Sequence, residues 1–212
     1  MKTIVIATLN QGKVKEFQEI LPCDKYNIKS LNSFSNIISV EETGTTFEEN
    51  AVLKATNYGN FCNEICIADD SGLVVDTLNG APGVYSSRFA KSDEKRCEKL
   101  LDLMKNVPEN HRKARFVCTA ALYLPEKLIS GLKQSFESSK DYNFYPNVIT
   151  TTETLEGYIA FEKKGCNGFG FDPIFFVPGK KKHLAELSSE EKNIISHRGK
   201  ALKKIKNILN FL

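Results

Sequence analysis

The chain has 212 residues, 41% of them hydrophobic and 26% charged, which is enough apolar sequence for a sizeable core and excludes a disordered or fibrous protein. Its formal net charge of +3 and pI near 8.4 are too mild to mark a nucleic-acid binder, though they suit a protein whose ligand is a polyanion. MKTIVIATLN is too short an apolar start for a signal-peptide core and no later run approaches membrane-spanning length, so a cytoplasmic protein is expected.

Residues 2–7 read as an apolar strand, Thr8 to Gly12 as a polar turn, and Lys13 onward as a helix with Val14, Phe17 and Ile20/Leu21 on one face. In that turn, N–H groups at a helix start, the side chains of Thr8 and Asn10, and the Lys13 ammonium could converge on an anion. An ordinary strand-to-helix turn is the competing reading, and the P-loop pattern GxxxxGK[ST] is absent. Residues 25–31 make a second strand. Thr46 with Glu49 three residues later forms a capping-box pattern, opening a helix with Phe47, Ala51, Ala55, Tyr58 and Cys62 on its buried stripe and Asn50 and Lys54 on a neighbouring face.

Ile65, Ile67 and Ala68 read as a short buried strand with Asp69 and Asp70 at its end, and Ser71-Gly72 as a turn before a second apolar run, Leu73-Val74-Val75. Two adjacent acids repel each other unless a proton or cation sits between them, and a hard cation such as Mg²⁺ takes oxygen ligands that it often shares with substrate phosphates. A solvated Asp-Asp-Ser-Gly turn is the alternative. Asn79 to Gly83 is a tight loop, Ser92 to Met104 a charged surface helix, Arg115 to Leu124 an apolar strand, and Leu155 to Phe161 an alternating one. Residues 128–152 have no clear period and are expected to form an extended hairpin or surface excursion.

Gly165 to Pro178 surrounds one acid, Asp172, with glycines and aromatics, a composition that either packs a flat ring or bends a strand in the core. A charged helix around Glu190 to Asn193 precedes Ser196-His197-Arg198-Gly199. A last helix then turns Leu202, Ile205, Ile208/Leu209 and Leu212 inward. The six cysteines, at 23, 62, 66, 97, 118 and 166, include no CxxC pair and no zinc-like spacing with the histidines, so reduced thiols are expected. Strands alternating with helices, with no repeat or linker, indicate a mixed α/β chain with an elongated sheet.

Seven segments in order, Thr8-x-Asn10-x-x-Lys13, Glu41-Glu42-Thr43-Gly44, Phe47-Glu48-Glu49-Asn50-Ala51, Ala68-Asp69-Asp70-Ser71-Gly72, Gly80-Ala81-Pro82-Gly83, Gly168-Phe169-Gly170-Phe171-Asp172-Pro173 and Ser196-His197-Arg198-Gly199, resemble the Ham1-like inosine triphosphate pyrophosphatase family, closest to its bacterial branch. Phe171 stands where that family usually has tyrosine or tryptophan, and residues 128–152 look longer than the corresponding region.

The resemblance implies one domain over residues 1–212, an α/β fold with a mixed sheet, flanking helices and two lobes around a central nucleotide cleft. It implies Mg²⁺-dependent hydrolysis of inosine, deoxyinosine and xanthosine triphosphates to monophosphate and pyrophosphate by a cytoplasmic homodimer, with neither nucleic acid nor membrane as partner. On this chain the loop Thr8, Leu9, Asn10, Gln11, Gly12 and Lys13 would hold the triphosphate, Glu41 and Asp70 the metal, and Asp70 would also act as general base. Ser71 would touch substrate, and Phe169, Gly170, Phe171, Asp172, Lys192, His197 and Arg198 would form the base pocket. Asp69, Glu49 and Lys54 would lie near the metal and phosphates. Competing readings are a nucleotide-binding regulator without turnover, a nucleic-acid binder using Lys180 to Lys182, and a Maf-like pyrophosphatase. Against the last, TLNQGK lacks the arginine of the Maf signature loop.

Overall fold

Apolar residues two apart put one strand face into each of two cores, and this alternation organises the computed structural model. It describes residues 1–212 apart from 22, 23 and 137, and the side chains of 130, 131, 133 and 134 are also outside the described set, so the expectation for Cys23 lies beyond it. The eight strands are β1 (Lys2–Ile6), β2 (Tyr26–Ser30), β3 (Ile65–Val75), β4 (Lys113–Tyr123), β5 (Asn143–Phe144), β6 (Val148–Ile159), β7 (Phe175–Val177) and β8 (Lys182–His183). They form one mixed sheet in the order β2-β1-β3-β4-β6-β7-β8, with β5 on β6. β1 pairs parallel with β2 and β3, whereas β6, β7 and β8 pair antiparallel in turn. Among the described residues six α-helices accompany it: α1 (Gln11–Ile20), α2 (Phe47–Cys62), α3 (Asp93–Leu103), α4 (Glu126–Phe136), α5 (Ser189–Ile195) and α6 (His197–Leu209).

The chain divides into two compact units, passing between them at Asp70/Ser71, Val117/Cys118, Glu153/Thr154 and His197/Arg198. In the first unit, Ile4, Ile6, Ile65 and Ile67 face a core completed by Val14 and Phe17 of α1, Ile129 and Leu132 of α4, and Leu202, Ile205 and Ile208 of α6. Their neighbours Val5, Ala7, Cys66 and Ala68 face the opposite core, which α2 covers with Ala51, Ala55 and Tyr58. Gly59 lets α2 approach β4, because a Cβ there would fall 2.2 Å from the Tyr123 ring. The Tyr123 hydroxyl donates to Asn60 at 2.8 Å beside it.

The second unit has its own core of Leu73, Val75, Leu100, Met104, Leu155, Ile174 and Phe175. There the buried Arg112 donates to the carbonyls of Met104, Val107, Ile159 and Ala160, joining the end of α3 to the end of β6.

Three expectations change. β3 runs unbroken for 11 residues, so Asp69 and Asp70 lie within it and Ser71-Gly72 is strand, not turn. The glycine there is buried and extended in the sheet instead of taking a positive φ. α1 begins at Gln11, two residues earlier than expected, because Asn10 caps it by accepting the Lys13 N–H. Within residues 128–152, β5 and the start of β6 pair antiparallel as the expected hairpin, but most of α4 precedes them and buries Ile129 and Leu132 in the core, which a surface excursion would not do. The capping box of Thr46 and Glu49, the helix after Ser92, and the inward stripe of α6 stand as read.

Candidate active site

The period of a strand decides how the two aspartates act. Asp69 continues the face of Ile65 and Ile67, toward α1 and α6. Asp70 continues the face of Cys66 and Ala68, toward α2. Their hydrogen-bonded cations differ accordingly, Lys13 and Arg198 for Asp69 and Lys54 for Asp70.

Asp69, fully buried, accepts from Lys13 Nζ at 2.8 Å and from Arg198 Nε and Nη2 at 3.1 and 3.2 Å, all through Oδ2. Arg198 Nη1 donates to Glu16 at 2.5 Å, and Glu16 is buried on α1 one turn after Lys13. Burial alone would raise the Asp69 pKa, but the Lys13 and Arg198 charges outweigh it and hold the carboxyl well below its ordinary range. Burial opposes the charge on Arg198 as well, and Asp69 and Glu16 more than restore it.

Asp70, 6% exposed, accepts from Lys54 Nζ on Oδ1 at 3.2 Å and from Asn50 Nδ2 on Oδ2 at 3.2 Å. Lys54 also donates to Glu42 at 2.6 Å, so one ammonium joins a loop carboxylate to a strand carboxylate. Burial raises the Asp70 pKa despite Lys54 and Lys13, leaving it a better proton acceptor than an ordinary aspartate. Burial also works against the Lys54 charge, but Asp70, Asp69 and Glu42 raise its pKa on balance.

The turn before α1 is exposed around Leu9, Asn10 and Gln11, and Thr8 Oγ1 accepts the Asn10 N–H at 3.2 Å. Its exposed helix start and Lys13 suit a phosphate. Glu41 is exposed beside a cavity of about 440 Å³ lined by Val40, Thr43, Tyr58 and Phe61, and it is Glu42 that reaches Lys54. Among the described residues no group of three or more His, Cys, Asp or Glu is gathered around one point. The available donors are carboxylate oxygens, and Mg²⁺ characteristically takes one or two of these and completes its shell with water and substrate phosphate, so the residues fit such an ion.

The second unit assembles most of the other expected residues. Asp172 Oδ2 accepts from Lys192 Nζ at 2.7 Å and from the Phe169 N–H at 2.9 Å, and the Lys192 ammonium lies 4.7 Å from the Phe169 ring centroid. A Cβ on Gly168, whose φ is +77°, would fall 2.0 Å from Asp172 Oδ2, so only glycine permits this approach. The Gly170 N–H is held by Asp93 at 2.7 Å, and Phe171 is buried. His197 stacks on Phe116 with centroids 4.8 Å apart and planes 7° from parallel. Ser71 is partly buried at the start of this unit.

The neighbours His197 and Arg198 have different partners, Phe116 for the one and Asp69 with Glu16 for the other. His197 belongs to the second unit, and Arg198 to the first, with Lys13, Glu16 and Asp69. Sequence reasoning passed over Glu16, although a carboxylate between Val14 and Phe17 on a helix's buried stripe was the available signal. Asp93 and Phe116 carried none, being ordinary cap-region and strand residues.

Fold and site together define an α/β protein with a phosphate-type strand–turn–helix, buried carboxylates each held by cations, and a separate aromatic–acid–lysine cluster. The sequence profile of the Ham1 family matches residues 4–208, and the chain belongs to that family. It is 49% identical to a dITP/XTP pyrophosphatase of Bacillus cereus over 208 residues, covering 97% of this chain and 93% of that one. It is 46% identical to the dITP/XTP pyrophosphatase of Bacillus subtilis, covering 99% and 98%. Among solved structures it resembles the Ham1 protein of Staphylococcus aureus with a TM-score of 0.80 at 40% identity, over 99% of this chain and 98% of that one. The corresponding values for a HAM1 protein of Coxiella burnetii are 0.83 and 38%, over the whole of both chains.

Proposed function

We propose that the chain hydrolyses non-standard purine nucleoside triphosphates, ITP, dITP and XTP, to the monophosphate and pyrophosphate. The observation that carries this reading is the buried Asp70 between Lys54 and Asn50, set within a chain that matches dITP/XTP pyrophosphatases along nearly its whole length. Nucleotide pyrophosphatases generally work with a divalent metal, and we assign Mg²⁺ to the carboxylates of Asp70 and Glu41. When bound, the ion neutralises phosphate charge and lowers the pKa of a coordinated water.

The chain's own groups have distinct parts. Asp70 orients a water and takes its proton as the water oxygen bonds to the α-phosphorus and the α–β anhydride bond breaks, its electron pair leaving with pyrophosphate. Its burial, which raises its affinity for a proton, supports this assignment. The turn from Thr8 to Lys13 is assigned to the triphosphate, because helix N–H groups and an ammonium favour oxyanions. Lys54 would supply further positive charge and hold Glu42 near Asp70.

Base recognition is assigned to Phe169, Gly170, Phe171, Asp172, Lys192 and His197, with Ser71 touching substrate and Arg198 facing O6 of the purine. A guanidinium only donates, so it suits the carbonyl of hypoxanthine or xanthine and gains nothing from an adenine amino group. Asp69 and Glu16 hold that guanidinium in place. Guanine shares the carbonyl, so its rejection is assigned to the backbone near Phe169 to Asp172.

We further assign the chain to the cytoplasm as a homodimer, a location that suits the cysteines at 62, 66, 97, 118 and 166, which are free among the described residues. No described helix is long and apolar enough to cross a membrane. The test is an initial-rate panel of ITP, dITP, XTP, GTP and ATP with Mg²⁺. Cleavage of the first three well above the last two is expected, and equal turnover of ATP would sink the assignment.

A further inference from the structure

The side chain that joins Asp70 to the loop before α2 is neither an acid nor a base. Asn50 is completely buried in the first turn of α2, and both ends of its amide are used. Its Oδ1 accepts the Gly44 N–H at 2.8 Å. Its Nδ2 donates to the Gly44 carbonyl at 3.4 Å and to Asp70 Oδ2 at 3.2 Å.

This arrangement has one sense only. With the amide reversed, its oxygen would face the Asp70 carboxylate and its NH₂ would face the Gly44 N–H, acceptor against acceptor and donor against donor. Lys54 holds the other oxygen of Asp70 at 3.2 Å, so neither carboxylate oxygen turns without breaking a bond. Asn50 and Lys54 lie one helical turn apart, and each makes a second contact into the 41–44 loop, Asn50 to Gly44 and Lys54 to Glu42. Gly44 is shaped to this contact, since a Cβ there would sit 2.7 Å from Asn50 Oδ1 and 2.7 Å from Glu49 Cβ.

We propose that Asn50 is a positioning residue for hydrolysis: it fixes the rotation of the Asp70 carboxylate and ties it to the backbone of the 41–44 loop, so that Asp70 and the loop's carboxylates act from one rigid frame. This rests on the assignment of Asp70 to the chemistry. Lys54 is a charged cross-link between the same two places, whereas Asn50 supplies direction without charge. Its loss therefore falls on the chemical step and not on the capture of the nucleotide. Supporting groups of this kind, which orient a reacting or ligating side chain, characteristically cost about 10- to 100-fold when removed.

The test has an arm that needs no turnover. In a ¹H–¹⁵N spectrum of the intact protein, the Asn50 side-chain amide should move when Asp70→Asn replaces the carboxylate and again when Gly44→Ala intrudes on its oxygen. An unmoved resonance in both variants would overturn the bridge.

The kinetic arm uses Asn50→Ala, Gly44→Ala and the double variant with ITP. The expectation is a kcat lowered about 10- to 100-fold, KM within about twofold of wild type and an unchanged ratio of ITP to ATP turnover. The two losses should combine to less than their product in the double variant, because the added methyl acts in part through the amide it displaces and in part on Glu49 Cβ. A folded Asn50→Ala chain with kcat within about twofold of wild type, or losses that multiply in the double variant, would overturn the proposal. Should Asn50→Ala fail to fold, Gly44→Ala alone carries the kinetic arm. A wild-type chain that leaves every nucleoside triphosphate intact would instead sink the functional reading, and the spectrum tells the two failures apart.

Discussion

Asp70→Asn keeps the shape of the side chain but leaves Lys54 facing an amide, and it removes the proton acceptor assigned to the reaction. Turnover of ITP should fall by about 10²–10³ while the melting temperature stays near wild type, the scale on which single electrostatic groups act in hydrolytic sites. Near-normal turnover in a folded variant would move the chemistry to another residue. Arg198 has two jobs to distinguish. Arg198→Ala strips the guanidinium from Asp69 and Glu16, both buried, so stability should drop by about 3–5 kcal/mol in a denaturant titration. If Arg198 also reads the purine, ITP turnover falls further than residual ATP turnover, and an equal fractional loss for both nucleotides assigns it to the network alone. Asp69 sets an acid limit. Its pKa is depressed in the folded chain below the ordinary 3.8, so its contribution to stability is full above that value and is lost as pH falls below it. Stability curves of the wild type and Asp69→Asn should therefore converge in acid, and a constant gap down to the lowest pH would contradict the paired, ionised Asp69.

α2 delivers Asn50 and Lys54, and its own start is set by the reciprocal bonds of Thr46 and Glu49. Thr46→Ala should cost about 1 kcal/mol of stability, the usual value of an N-cap, measured by urea unfolding with an unchanged m-value. No loss would mean that the packing of Gly59 on Tyr123 fixes the helix by itself. The cap was legible because a side-chain signal at fixed spacing is local, and so was the inward stripe of α6. The unbroken β3 was not. Ser71-Gly72 carries turn chemistry, and only pairing within the sheet decides that those residues stay extended. α4 was hidden for a related reason: EKLISGLKQSF mixes small polar residues into a helix whose stability comes from burying Ile129 and Leu132. The site was legible as a set of residue types at motif spacing, and Asp70, Lys13 and the Asp172–Lys192 pair all lie among charged partners. Strand period was the unused information, since it sends Asp69 and Asp70 to opposite faces and gives them different cations.

Each unit has its own core and its own polar cluster, one of carboxylates with Lys13, Lys54 and Arg198, the other of Asp172 with Lys192 and Phe169. The first cluster is assigned the triphosphate and, through Arg198, the purine carbonyl, and the second the rest of the base, a division with a product-level consequence. A base-reading cluster sets which nucleotide is cut, whereas the phosphate cluster sets which bond is cut. The substrate panel addresses the former. The central claim, that this chain is a pyrophosphatase and not a phosphatase or a silent binder, is tested most directly by ³¹P NMR of ITP incubated with the purified protein and Mg²⁺. Equimolar IMP and pyrophosphate are expected, with no inosine diphosphate at any time point. Release of inorganic phosphate with IDP, or an unchanged triphosphate spectrum, would contradict the claim.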